Sequence, residues 1–221
     1  MNNSDFVLLS LGPISASLSD EQRDAVIGTM LGDASMEYSG TKNPRLRFEQ
    51  LYPDRESYIN SLYILFKDFT GTPPRIVERK PDKRTGKIYR TISFKTRSMV
   101  SLNFFYELFY ATSSNGTRTK IVPITIKDLL NPRVLAYWIM DDGNMITSGG
   151  TQLCTDSFTK DEVILLEQAI QSNFKLHTRL EEHGVGSGKW RIIIPVRQVT
   201  SLASIVGPYM HSSLKYKVHG L

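Results

Sequence analysis

The chain has 221 residues, enough for one large domain or for two compact units of about 100 residues, each with a modest core. Lys and Arg number 27 against 22 Asp and Glu, a formal net charge of +5 that permits a polyanionic partner without requiring one, while 40% hydrophobic residues exclude a disordered or fibrous chain. A single cysteine, Cys154, excludes an intramolecular disulfide framework and a multi-thiolate zinc site, and no apolar run is long enough to span a membrane. Met1 to Ile14 lack the basic flank and long apolar core of a secretory signal. The expectation is a soluble protein of a reducing compartment, with no membrane and no obligate protein partner.

Ser19, with Gln22 three residues on, has the form of a capping box and opens the first helix, whose periodicity runs through Ala25, Val26, Met30, Leu31 and Ala34. Asn43 to Leu51 alternates Leu46 and Phe48 against Arg45, Arg47 and Glu49 and predicts a strand. Tyr52-Pro53-Asp54 turns into a helix over Arg55 to Phe69, striped by Tyr58, Leu62, Leu65 and Phe69. Arg75 to Lys80 and Ile88 to Thr96 form the arms of a hairpin around Asp82 to Gly86, and Met99 to Tyr110 reads as an aromatic-rich helix. Thr112 to Thr119, centred on Asn115-Gly116, reads as a connection. From Leu135 the order restarts: a helix to Asp142, a strand over Thr151 to Thr155, and a helix from Thr159, with Glu162 as its N3 acid, to Phe174. Strands over His177 to Glu182 and Trp190 to Pro195 follow, then a helix over Gln198 to Val206 and a basic tail. Helix, strand, helix, hairpin, helix has thus occurred twice.

Two short segments carry the chemistry. Val26-Ile27-Gly28-Thr29-Met30-Leu31-Gly32-Asp33-Ala34 and Leu135-Ala136-Tyr137-Trp138-Ile139-Met140-Asp141-Asp142-Gly143 are apolar helices that each finish on an aspartate followed by a small residue. A carboxylate is unfavourable at the negative end of a helix, so something cationic should compensate, and a divalent metal is the obvious candidate. Gly28 and Gly32 share one helical face and would let another helix approach closely. If the two segments pack together, Asp33 and Asp142 meet, and two adjacent carboxylates call for Mg2+ or a similar oxygen-seeking ion. A glycine pair in a helix, or an aspartate before a turn, can each be purely structural; the repetition half a chain apart favours the functional reading.

With these motifs the chain resembles the LAGLIDADG homing endonucleases in their single-chain, two-repeat form, and within them the subgroup of the yeast mitochondrial omega-intron endonuclease. The resemblance runs from about Asp20 to Lys217. It implies an α+β fold of two pseudo-symmetric αββαββα repeats, each with an antiparallel DNA-binding sheet, packed through the two motif helices. The division would be a first repeat over 1–111, a linker over 112–131 and a second repeat over 132–221. It also implies that Asp33 and Asp142 bind the metals, Mg2+ with Mn2+ as a substitute and Ca2+ binding without efficient cleavage. Asp141 occupies the motif's small-residue position and is the less favoured ligand. Tyr137 departs from the family pattern, standing where Gly28 stands in the first repeat.

Lys120, ahead of an Ile-x-Pro segment, and Lys217, beside Tyr216, match family lysines that reach the active sites, to stabilise charge at the phosphate or to hydrogen-bond attacking water. Without the resemblance, each is an ordinary solvated lysine. Glu49 and Asp156 match polar residues that end a strand and orient metal-bound water; the alternative is that they cap the following turn. The implied activity is site-specific hydrolysis of double-stranded DNA for intron homing, across the minor groove with short 3-prime overhangs. An intron RNA maturase or a non-catalytic nucleic-acid-binding protein on the same scaffold is the alternative. The resemblance also suggests a mitochondrial protein, with the chloroplast as the alternative.

Arg75, Arg79, Lys80, Lys83, Arg84, Lys87, Arg90, Lys95 and Arg97 face only Glu78 and Asp82 in the first hairpin, a net +7 that exceeds the charge of the whole chain. A basic two-stranded ribbon fits the major groove; the alternative is an edge strand kept soluble by its cations. The second ribbon, with Arg179, Lys189, Arg191 and Arg197 against Glu181 and Glu182, carries net +2. Trp190 is expected to pack on the core or a platform. Two unlike ribbons in one chain imply a long asymmetric duplex as target, with intron RNA as a further possible partner.

Overall fold

The computed structural model describes residues 18–114 and 116–218. Met1 to Ile14 and Asn115, which figure in the readings above, lie outside the described residues. Helix α1 (Asp20–Leu31) starts at Ser19, whose side chain and that of Gln22 cap each other's backbone. It leads into β1 (Ser35–Glu37), β2 (Arg45–Leu51), α2 (Glu56–Leu65), β3 (Arg75–Glu78), β4 (Arg90–Lys95) and α3 (Asn103–Phe109). A hairpin of β5 (Tyr110–Thr112) and β6 (Arg118–Lys120), then the short α4 (Ile126–Leu129), lead to α5 (Pro132–Asp142). The second set is β7 (Gly143–Met145), β8 (Thr151–Leu153), α6 (Lys160–Phe174), β9 (Arg179–Glu182), β10 (Trp190–Ile194) and α7 (Val196–Val206). Each set reads αββαββα.

The two sheets repeat one antiparallel topology, β1-β2-β4-β3 and β7-β8-β10-β9. Strand period explains their two faces. In the first sheet Leu46, Phe48, Ile92 and Phe94 are buried against the helices, with Phe48 opposite Phe94 and stacked on it at 4.8 Å. The outward face carries Arg45, Arg47 and Glu49 of β2 beside Ser93 and Lys95 of β4 and Arg75 of β3. In the second sheet Leu153, Leu180 and Ile192 lie in register toward the core, and Arg179, Glu181 and Arg191 face outward. Trp190 packs at the core edge with the Lys160 ammonium 4.0 Å above its ring, as a packing rather than a base-stacking residue. One hydrophobic cluster joins both halves, and α1 and α5 cross at its centre.

Four sequence expectations need correction. The connection over Thr112 to Thr119 includes strand pairing, Tyr110 with Lys120 and Thr112 with Arg118. The helix expected over Met99 to Tyr110 is divided: a 3-10 turn precedes α3, and Tyr110 already belongs to β5. The strands β1 and β7, three residues each, add to the expected elements and are too short to leave a periodic trace in the sequence. The basic tail is a 3-10 helix over Ser212–Lys217 that buries Leu214 and Lys217.

Candidate active site

The crossing of α1 and α5 builds the site. A Cβ on Gly28 would lie 2.5 Å from Tyr137 Cβ and 2.5 Å from the Val134 carbonyl oxygen, so glycine is what lets the helices touch there. One turn on, a Cβ on Gly32 would lie 2.5 Å from Asp141 Cβ. Both glycines belong to α1 and both bulky partners to α5, so the departure at Tyr137 is met by interdigitation.

The crossing ends in three carboxylates. Asp141 is half-buried, and its oxygens accept hydrogen bonds from the Asp33 backbone N–H (3.2 Å), Gln50 Nε2 (3.1 Å) and the Tyr58 hydroxyl (3.0 Å). Gln50 Nε2 also donates to Asp33 Oδ2 at 3.0 Å. Burial, then the charges of Asp33 and Asp142, hold the Asp141 carboxyl well above the usual carboxylate range. Burial and the Asp33 charge push Asp142 up to about 7, against the pull of Lys120 and Lys217. Aspartates from the two halves thus sit within electrostatic reach of each other.

Both lysines approach the helix ends. Lys120 Nζ donates to the carbonyls of Gly32 (2.8 Å) and Ala34 (3.0 Å). Lys217 Nζ, on a side chain 2% exposed, donates to the carbonyls of Ile139 (3.1 Å), Met140 (2.6 Å) and Asp141 (3.0 Å). Each therefore binds carbonyls at or just past a helix C-terminus and opposes the dipole there. The cationic compensation that the acidic helix ends call for is supplied in part by the protein itself. Neither is a freely solvated lysine: burial lowers both pKa values, with Arg55 beside Lys217 helping to bring that one to about 8, while the three aspartates pull upward.

Glu49 is the residue the structure displaces. It lies on the outward face of β2 and pairs with Arg47 and Arg79, whereas its neighbour Gln50 points inward to the carboxylates. Strand alternation was visible in the sequence and carried the signal: Leu46, Phe48 and Gln50 share one parity. Asp156 accepts two hydrogen bonds from Arg191 Nε (3.0 and 3.2 Å) and one from Arg191 Nη2 (2.7 Å), and it contacts His183 Nδ1 (2.8 Å). Burial raises its pKa, but these partners outweigh that and hold it below the usual range. Its charge still contributes to raising Asp142. Tyr58 and Arg55 lie beside these groups without a signal in the sequence, and Asp141, the less favoured ligand of the second motif, sits among them. Arg55 has a buried guanidinium nitrogen with no hydrogen-bond partner among the described residues.

Of the first ribbon's cations, all but the half-buried Lys95 are exposed. Arg79 pairs with Glu49, and Lys95 and Arg45 share Glu37. In the second ribbon Lys189 is exposed, Arg179 pairs with Glu181, and Arg191 is committed to Asp156. Arg45 and Arg47, absent from the sequence-based set, share the outward face of the first sheet.

Two antiparallel sheets flanking a two-helix crossing that ends in aspartates from both halves define a pseudo-twofold protein of the homing-endonuclease fold. The chain belongs to the LAGLIDADG DNA endonuclease family, whose profile matches residues 23–202. Among curated relatives it is 28% identical to the DNA endonuclease I-ChuI of Chlamydomonas applanata, over 91% of this chain and 96% of that one. It is 27% identical to the cytochrome b mRNA maturase bI2 of Saccharomyces cerevisiae, over 99% of this chain and 51% of the maturase. Among solved structures, the homing endonuclease I-WcaI bound to its DNA recognition sequence matches with a TM-score of 0.81 and 26% identity, over 100% of this chain and 99% of that one.

Proposed function

We propose that this protein is a site-specific double-strand DNA endonuclease of intron homing, acting with a divalent cation on a long asymmetric duplex. The observation that carries the reading is the meeting of Asp33 and Asp142, one from each repeat, at the end of the α1 and α5 crossing. The donor set fits a hard cation. Burial and mutual repulsion raise two of the carboxylates, a state that a positive ion relieves. Among the described residues no group of three or more His, Cys, Asp or Glu side chains is placed to hold a metal ion by itself. Mg2+ binds through one or two carboxylates and keeps water and phosphate oxygens in its shell.

When bound, such an ion supplies Lewis-acid stabilisation of the phosphate and lowers the pKa of water. Asp33 and Asp142 would hold it, with Mn2+ as a substitute and Ca2+ as an ion that binds without efficient cleavage. Lys120 and Lys217 keep the helix ends in place and add positive potential. The exposed cations of the first ribbon grip the backbone of the duplex, and the weaker second ribbon completes an asymmetric footprint. The kinship with a cytochrome b mRNA maturase supports a mitochondrial setting, with the chloroplast as the alternative, and it keeps intron RNA as a second partner.

Selection of cleaved sites from a randomised duplex library in Mg2+ tests the proposal. Recovery of one long, non-palindromic site supports it. If no duplex is cut while intron RNA is bound tightly and spliced faster, the maturase reading replaces it.

A further inference from the structure

Asp141 stands in the second motif where Gly32 stands in the first. It is carried by the C-terminal repeat, yet the hydrogen bonds to its carboxylate come from the N-terminal repeat, from Asp33 N–H (3.2 Å), Gln50 Nε2 (3.1 Å) and Tyr58 Oη (3.0 Å). We infer that Asp141 is a positioning residue for the N-terminal half-site alone, so that the two DNA strands are cut by centres of unequal construction. The inference rests on the nuclease reading above.

The geometry explains what Asp141 does there. Gln50 Nε2 lies between Asp33 Oδ2 and Asp141 Oδ1, at 3.0 and 3.1 Å. Two carboxylate acceptors can be served only by the amino end of the carboxamide, so the pair fixes its orientation and leaves Oε1 as the group's free acceptor. The Asp33 N–H bond to Oδ2 sets the backbone from which the Asp33 carboxylate projects. Tyr58, on α2, donates to the same Asp141 Oδ1 that Gln50 reaches. A third carboxylate beside Asp33 and Asp142 adds like-charge repulsion, which the bonds from Tyr58 and the Asp33 N–H reduce without cancelling.

Among the described residues no reciprocal group is present. Gly32 has no side chain, and a Cβ there would fall 2.5 Å from Asp141 Cβ and 2.8 Å from its Oδ2. The space that a matching carboxylate would need is filled by Asp141 itself. In the C-terminal half, Asp156 is committed to Arg191 and His183.

The test uses the full chain and a duplex labelled separately on each strand. Asp141→Asn keeps the shape but puts a donor where an acceptor stood, toward either Gln50 or the Asp33 N–H. In Mg2+ it should slow cutting of one strand by about 10- to 100-fold and of the other by less than about 3-fold, so that nicked duplex accumulates. Tyr58→Phe should slow the same strand by a smaller factor. A second measurement needs no metal: in EDTA the Gln50 side-chain amide protons, assigned by their loss in Gln50→Leu, should exchange slowly in the wild type. They should exchange at least about tenfold faster in Asp141→Asn. Equal slowing of both strands, opposite strands for the two variants, or unchanged Gln50 exchange overturns the inference while leaving the nuclease reading in place. A wild-type protein that cuts no duplex overturns both.

Discussion

The N-terminal and C-terminal halves share a strand order, a motif aspartate and a lysine on each helix end, and differ in the polar side chains around them. In the first, β2 runs seven residues and delivers Gln50 to the carboxylates, and its outward face joins a ribbon of exposed cations. In the second, β8 runs three residues, and the polar group that follows it, Asp156, is engaged by Arg191 and His183. The glycines of the crossing all lie on α1, and the bulk that fills them on α5. Backbone symmetry therefore sets where the two motif aspartates are, while side chains differ: one half carries the more basic ribbon, and the other supplies Tyr137 and Asp141 to the seam.

The comparison can be broken most severely at the aspartates. Asp33→Asn and Asp142→Asn should each reduce double-strand cleavage by about 10³-fold or more, because each removes charge stabilisation worth several kcal/mol, while DNA binding in Ca2+ stays within a few-fold. Strand-labelled cleavage with a parallel binding titration measures this; full cutting by both variants defeats the assignment. The difference in grip comes next. Replacing Arg75, Lys80 and Lys83 together by Ala should flatten the dependence of log K on log salt by about two to three. Replacing Arg179 and Lys189 should change it by less than about one to two, since Arg179 is already paired with Glu181. Equal slopes for the two sets would remove the distinction.

At the seam, Gly28→Ala should lower stability by roughly 1–3 kcal/mol in denaturant unfolding, because its methyl meets the Val134 carbonyl and Tyr137 at 2.5 Å. Gly207→Ala, with nothing within 4 Å of its Cβ, is the matched control.

The smallest effect is in pH. Asp142 titrates near 7 in the fold and near 3.8 when unfolded, so between those values the native state binds the extra proton. Its contribution to stability in EDTA is therefore lost as pH rises from about 4 to 7 and is flat above. Asp142→Asn should escape that loss and gain on the order of 2 kcal/mol over the wild type at pH 7.5, with little difference at pH 4. A gap that shrinks with rising pH would contradict the assigned burial.

Much of the architecture was legible because local rules and tertiary demands agree: the capping pairs Ser19 with Gln22 and Thr159 with Glu162, the alternation of β2, and the twin apolar helices ending in acid. What escaped depends on distance along the chain. Gln50 and Glu49 are neighbours in sequence, and only the knowledge of which face meets the helices separates them. Asp141 looks like a motif variant until Tyr58 and Gln50, more than 80 residues earlier, are folded against it. Lys217 reads as a solvated cation in a basic tail because nothing local shows that Leu214 and Val218 bury the turn around it.

The cap on α5 has a consequence for the order of synthesis. Lys217 follows every other group of the site in the chain, and its ammonium closes the three carbonyls beneath Asp141 and Asp142. A nascent polypeptide that has already emitted both aspartates, both ribbons and the seam glycines still lacks that closure. Translation must reach Lys217 before the C-terminal end of α5 is capped.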